Sequence, residues 1–91
     1  MNYRFRAART FWKSLSKLPA EQQQAARQTF RIFKTNPFDA RLRAHKIHRL
    51  SALYKQTIYA VDIEGDLRAT FYIEGETIWS VDIGTHDIYK G

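Results

Sequence analysis

Residues 54–83 read YKQTIYAVDIEGDLRATFYIEGETIWSVDI, and their reading decides the fold. Tyr54 to Ile63 is rich in β-branched and aromatic residues, Glu64-Gly65-Asp66 supplies a turn, and Leu67 to Ile73 returns as a second strand. In that returning arm, period-two alternation sends Leu67, Ala69, Phe71 and Ile73 to one face and Arg68, Thr70 and Tyr72 to the other. Glu74-Gly75-Glu76 turns the chain again into Ile78–Ile83, where strict alternation puts Trp79, Val81 and Ile83 on a common face. The pattern is that of a three-stranded antiparallel meander with one apolar face, which must be covered by something else in the chain.

The cover comes from the N-terminal side. Tyr3 and Phe5 alternate with polar neighbours as a short strand. Phe11, Trp12, Leu15 and Leu18 then recur at helical spacing opposite Lys13, Ser14, Ser16 and Lys17, predicting an amphipathic helix over 8–17. Pro19 closes it and opens a second helix with Glu21 in its first turn, where the dipole favours negative charge. That helix runs to Lys34, with Ala26, Phe30 and Phe33 on one side and Arg27, Arg31 and Lys34 on the other, and Asn36-Pro37 stops it. Arg41 to Leu50 reads as a basic strand with Leu42, Ala44 and Leu50 on one parity and Ile47 on the other. The expected order is β-α-α-β-β-β-β: an α+β unit with two helices on one face of a curved, mostly antiparallel sheet, and the second face open for function.

Length and composition agree. The 91 residues leave room for one domain spanning 1–91. With no cysteine, disulfides and thiolate metal sites are ruled out and a reducing cytoplasm is the simplest setting. No apolar run is long enough to span a bilayer, so no membrane is expected among the partners. The net charge of +6 divides unevenly: residues 1–50 carry twelve Lys/Arg against two acids, and residues 51–91 carry three against seven. A basic half points to an anionic partner with a defined approach side.

Glycine-rich phosphate loops, nucleophile elbows, HExxH helices and EF-hand loops are all absent. What remains is a set of His, Lys, Arg and Tyr residues of the kind a metal-independent ribonuclease uses. Such an enzyme needs a base for the ribose 2′-OH, cations for the phosphorane charge and an acid for the leaving 5′-oxygen. In Arg41-Leu42-Arg43-Ala44-His45-Lys46-Ile47-His48-Arg49, strand parity puts Lys46 and His48 on one face and His45 and Arg49 on the other. A solvated basic edge strand reads the same way. Arg68 projects from the polar face of its strand, either toward a phosphate or into a cross-strand pair with Asp62 or Asp82. His86 and Tyr89 follow the last strand after Gly84, placed to move a proton or simply exposed. A metal reading through Asp82, His86 and Asp87 lacks a second histidine and is set aside. Tyr54, Tyr59, Phe71, Tyr72 and Trp79 could stack on single-stranded RNA, though strand aromatics mostly fill cores.

Taken in order, Phe11-Trp12-Lys13, Leu18-Pro19, Phe30-Arg31-Ile32-Phe33, Asn36-Pro37-Phe38, His45-Lys46-Ile47, Gly65-Asp66-Leu67-Arg68-Ala69 and Ile83-Gly84-Thr85-His86-Asp87-Ile88-Tyr89 resemble the RelE/ParE superfamily of type II toxin–antitoxin toxins. The resemblance spans nearly the whole chain. It implies, in the RelE-like branch, a ribosome-dependent endoribonuclease that cuts mRNA without a metal or other cofactor. By the same resemblance Arg68 corresponds to the arginine that contacts the scissile phosphate and Lys46 to a lysine on the preceding basic strand. His86 resembles a C-terminal general acid or base, and Tyr89 lies near a tyrosine that other branches use. His48 is a further candidate acid or base, and Arg43, His45, Arg49 and Lys55 are the accompanying RNA-binding candidates. The implied partners are a cognate antitoxin, the ribosome and mRNA, and the implied location is the cytoplasm. ParE-like relatives share the fold but inhibit DNA gyrase, so a gyrase inhibitor without nuclease activity is the alternative, beside a non-toxic binding relative.

Overall fold

The computed structural model describes residues 3–90, without the side chains of His86 and Lys90. The chain runs β1 (Arg4–Ala7), α1 (Arg9–Ser16), α2 (Ala20–Thr35), a 3-10 turn (Ala40–Leu42), β2 (His45–Lys46), α3 (His48–Tyr54), β3 (Tyr59–Glu64), β4 (Leu67–Glu74), β5 (Thr77–Gly84) and a closing 3-10 turn (His86–Lys90). The sheet order is β1-β5-β4-β3-β2, with β1 parallel to β5 and every other neighbour antiparallel. This is an α+β architecture with a mixed five-stranded sheet.

The meander and its two turns lie where the sequence puts them. Gly65 and Gly75 have φ of +50° and +61°, the left-handed region that tight hairpin turns require and that a Cβ makes costly. Leu67, Ala69 and Phe71 are buried and Ile73 packs beside them, as the alternation predicts. Above them lies α2, whose Phe33 ring meets Phe71 edge-on at 4.9 Å and Phe5 at 5.5 Å. Phe30 continues the cluster to Phe33 at 5.6 Å and to Phe11 of α1 at 5.3 Å. Edge-to-face packing suits the ring quadrupoles and lets these five phenylalanines form one continuous core.

Four sequence readings are corrected. In β5, Phe71 pairs with Ser80 but Thr70 pairs with Asp82, so Val81 is an extra residue, a β-bulge that reverses the alternation. Ile78, Ser80 and Ile83 therefore face the core, while Trp79 lies on the second face and stacks on Tyr72 at 6.4 Å. The expected Trp79-Val81-Ile83 face does not exist.

The basic strand over Arg41–Leu50 is the second correction. Only His45 and Lys46 are extended, and His48 to Tyr54 is helical. This stretch holds no β-branched residue between 48 and 54 and includes Leu50, Ala52 and Leu53, good helix formers. Ser51 locks the helix to the sheet: its Oγ donates to the Ile47 carbonyl at 2.8 Å and accepts from the Ile58 N–H at 2.8 Å. Lys55, with φ of +57°, ends the helix in the left-handed conformation, and the strand expected from Tyr54 starts only at Tyr59.

Third, the second sheet face is partly covered. Cross-strand register aligns His45, Ala60 and Thr70 on that face, and Ala60 and Thr70 are buried. Leu50 and Ile58 are buried too, apart from the main core, and α3 sits against the closing turn.

Fourth, α1 is rotated from its expected setting. Trp12, expected on the buried stripe, is 60% exposed, whereas Ser14, expected outside, donates to Asp82 at 2.6 Å.

Candidate functional site

The site residues gather on the second sheet face where β3 and β4 leave their hairpin. Asp62 and Arg68 are direct cross-strand partners, and immediately beyond them the pairing skips Ile63, a second bulge that bends the strand end. Arg68 Nε lies 2.9 Å from Asp62 Oδ1, and Arg68 Nη1 donates to the Gly65 carbonyl at 2.9 Å. The guanidinium is thus held from two sides, with its side chain 16% exposed. Of the two readings open for Arg68, the pair with Asp62 is present, while Asp82 is turned to α1 and to the Ile83 N–H at 2.9 Å.

A second arginine reaches the same carboxylate. Arg43 Nε stands 3.6 Å from Asp62 Oδ2, with a side chain 78% exposed. Arg43 follows the 3-10 turn that Asp39 caps by accepting from the Arg41 N–H, and its φ of +54° swings the backbone into β2. A left-handed non-glycine residue persists only where its surroundings hold it.

Tyr89 completes the group from the closing turn. Burial pushes its phenol above the ordinary 10.0, the positive Arg68 beside it opposes that rise, and the carboxylates of Asp62 and Asp66 add to it. The hydroxyl therefore stays protonated at neutral pH. The turn is set by Thr85, whose Oγ1 accepts from the Asp87 N–H at 3.4 Å, and by Gly84, which passes so close to Ile88 that a Cβ would lie 2.7 Å from its Cγ2.

The remaining candidates separate. His45 shares the register row of Ala60 on the Arg68 face, and its Nδ1 lies 2.9 Å from the Arg43 carbonyl. Lys46 pairs with Tyr59, whose ring stacks on the core residue Phe71, so its register points to the helix side of the sheet. His48 and Arg49 sit exposed on the first turn of α3, and Lys55 caps that helix at its far end. Lys46 and His48 therefore do not share a strand face, because His48 is on no strand. His86 opens the closing turn, and its side chain lies outside the described residues. Sequence reasoning missed Asp62 as the meeting point of two arginines, since nothing in local spacing brings residue 43 to residue 62.

A second feature lies on the opposite side. A groove of about 440 Å³ runs between β1, α1 and α2, floored by Phe11, Leu15 and Phe30 and rimmed by Trp12, Arg27 and Arg31. Arg6 and Lys34 also line it, and among the described residues none that lines it is acidic.

No protein-family model matches the chain, and no curated protein matches it by sequence. Solved structures do. The archaeal RelE–RelB complex from Pyrococcus horikoshii contains a chain of TM-score 0.70 at 16% identity, covering 93% of this chain and 96% of its own. The RelB–RelE complex of Methanococcus jannaschii gives 0.68 at 20% identity, with 92% and 94% covered. YafQ from Escherichia coli gives 0.66 at 14% identity, with 98% and 99% covered. Over nearly its whole length, the chain has the fold of the RelE-like toxins.

Proposed function

We propose that this protein is the toxin of a type II toxin–antitoxin pair and acts in the cytoplasm as a ribosome-dependent mRNA endoribonuclease. The observation that carries the reading is the convergence, within a RelE-like fold, of Arg68, Arg43 and a phenol kept protonated on one sheet face. Cleavage proceeds by attack of the ribose 2′-oxygen on phosphorus. The P–O5′ bond breaks, leaving a 2′,3′-cyclic phosphate and a 5′-hydroxyl. Arg68 bears the charge that builds on the phosphoryl oxygens, as pre-positioned cations do in such transition states. Tyr89 supplies the proton to the departing 5′-oxygen. His86, three residues earlier on the same turn, takes the proton of the 2′-OH, and His45 lies on the same sheet face as the other imidazole candidate. Tyr72 and Trp79, stacked on that face, offer ring surface to unpaired bases. Lys46, His48, Arg49 and Lys55 are assigned to the ribosomal or RNA backbone, where exposed cations contribute through counterion release.

The partner is a cognate antitoxin with an acidic segment that folds on binding. RelE and YafQ relatives were crystallised with RelB and DinJ. The apolar floor and unopposed cations of the groove between β1, α1 and α2 suit an amphipathic acidic segment.

The second reading is a gyrase inhibitor acting by protein binding, favoured by the ion pair that already occupies Arg68. One experiment separates the two: the chain is induced alone in a bacterium, transcript 5′ ends are mapped and supercoiling is assayed. New 5′ ends that vanish with R68A support the nuclease. Inhibited supercoiling with intact transcripts rejects it.

A further inference from the structure

Two guanidinium groups from distant parts of the chain converge on one carboxylate, each on a different oxygen: Arg68 on Asp62 Oδ1 at 2.9 Å and Arg43 on Oδ2 at 3.6 Å. A carboxylate gripped by two arginines has the recognition pattern of a bound phosphate. We propose that Asp62 is a built-in occupant of this anion cradle, so that an RNA phosphate binds only by displacing its side chain. This rests on the reading that Arg68 receives an RNA phosphate.

The two halves of the cradle are built differently. Arg68 is sheltered and also anchored to the Gly65 carbonyl, so its guanidinium keeps its place when the carboxylate leaves. Arg43 is exposed and Asp62 is 25% exposed, so water reaches the carboxylate and its side chain has room to swing. The Arg43 arm is exposed and contributes little to stability, and an incoming phosphate takes the place of the carboxylate on the sheltered Arg68, so that guanidinium is not left without an anion. Of the other acids in residues 51–91, Glu64, Asp66, Glu74 and Glu76 lie exposed at the two hairpin turns, with Asp66 also near enough to act on Tyr89, Asp82 is bonded to α1, and Asp87 lies on the closing turn. Among the described residues, Asp62 is the sheet carboxylate that meets both arginines. It lowers the positive charge of the cradle by one unit, restraining binding of any phosphate that does not arrive well aligned.

The test is binding without cleavage. A fluorescein-labelled RNA, 2′-O-methylated throughout so that no 2′-OH can attack, is titrated by anisotropy into the wild-type chain, D62N, D62E and R43A. D62N is expected to bind about tenfold more tightly at low salt, the effect of removing one charge a few ångströms from the phosphate. The slope of log affinity against log salt is expected to steepen, D62E to match wild type, and R43A to bind more weakly. Sulfate should compete more effectively against D62N than against wild type. Unchanged or weaker binding by a folded D62N overturns the proposal, and a D62N that fails to fold does so too, because it assigns Asp62 to stability. The outcome is separable from the nuclease reading: tighter D62N binding with uncut transcripts rejects the nuclease and keeps the cradle, whereas cut transcripts with unaltered D62N binding do the reverse.

Discussion

Arg68 and Tyr89 show how one side chain sets the state of another. A phenol raised above 10.0 by burial holds its proton longer than an exposed one, and neighbouring carboxylates strengthen that preference. Because the folded pKa is raised, the associated stability is present below pH 10 and is lost as pH rises through the folded value. An ultraviolet titration should therefore show a tyrosine phase above the ordinary value, and Y89F should remove that phase. Should the proposed acid role hold, Y89F also lowers cleavage by about 10²-fold or more, the usual contribution of general acid catalysis. Asp39 shifts the other way. Its bonds from the Arg41 side chain and N–H hold its carboxyl at about 2 instead of 3.8. The stabilisation this represents is complete above about pH 4 and disappears as pH falls toward 2. Carbon-detected NMR titration should place the Asp39 midpoint near 2 in the wild type. R41A should return it toward the ordinary value.

At the scale of elements, the two bulges and the two kinds of glycine separate fold from site. Gly65 and Gly75 occupy left-handed turns with open space around the missing Cβ, so alanine there strains only the backbone, by about 1–2 kcal/mol each. Gly84 has an ordinary φ but a crowded side. In G84A the new Cβ would meet Ile88 Cγ2 at 2.7 Å, and a branched side chain in a short turn has little room to yield. G84A is expected to cost about 1–3 kcal/mol, as overpacking does, in urea unfolding. It should also displace the turn that carries His86 and Tyr89, so the proposed cleavage falls further than G65A or G75A reduces it. The bulge at Val81 serves the fold instead, returning Ile83 to the core after Trp79 has been sent to the opposite face.

For the whole molecule, charge is divided between two surfaces on either side of the sheet. Arg6, Arg27, Arg31 and Lys34 surround the groove of α1 and α2, whereas Arg43 and Arg68 lie with Asp62 on the second face. A segment bound in the groove and an RNA on the second face are therefore predicted to respond to different substitutions. R27E/R31E should weaken binding of the proposed antitoxin by about tenfold or more in a pull-down or calorimetric titration, while leaving the proposed transcript cleavage within about twofold; each rim charge at a partly desolvated interface is worth on the order of 1 kcal/mol. Beneath both surfaces lies the same aromatic core. F33A removes the ring that touches Phe5, Phe30 and Phe71, and at about 3–5 kcal/mol it would consume much of the stability of a domain this size.

Local patterns were sufficient for the two N-terminal helices, the meander, its glycine turns and the apolar face of β4. Each of these depends on periodicity or on a turn residue, and both act within a few positions of the chain. The candidate list for the site was legible for a similar reason, since residue type alone marks a cation or a titratable ring. What depended on partners far along the chain was not legible. A bulge exists only against a neighbouring strand, so the facing of Trp79 could not be counted off from β5. The stretch from His48 to Tyr54 becomes α3 because Leu50 is buried and Ser51 is bound to Ile58, neither of which is written in its own spacing. Arg43, Asp62 and Arg68 meet because a left-handed residue and a cross-strand pair bring together positions that chain connectivity alone leaves far apart. Sequence by itself determined the two N-terminal helices, the meander and which chemistry is present; only the tertiary structure decided that residues 48–54 form α3 and which groups touch, because electrostatic and packing energies depend on distance in space.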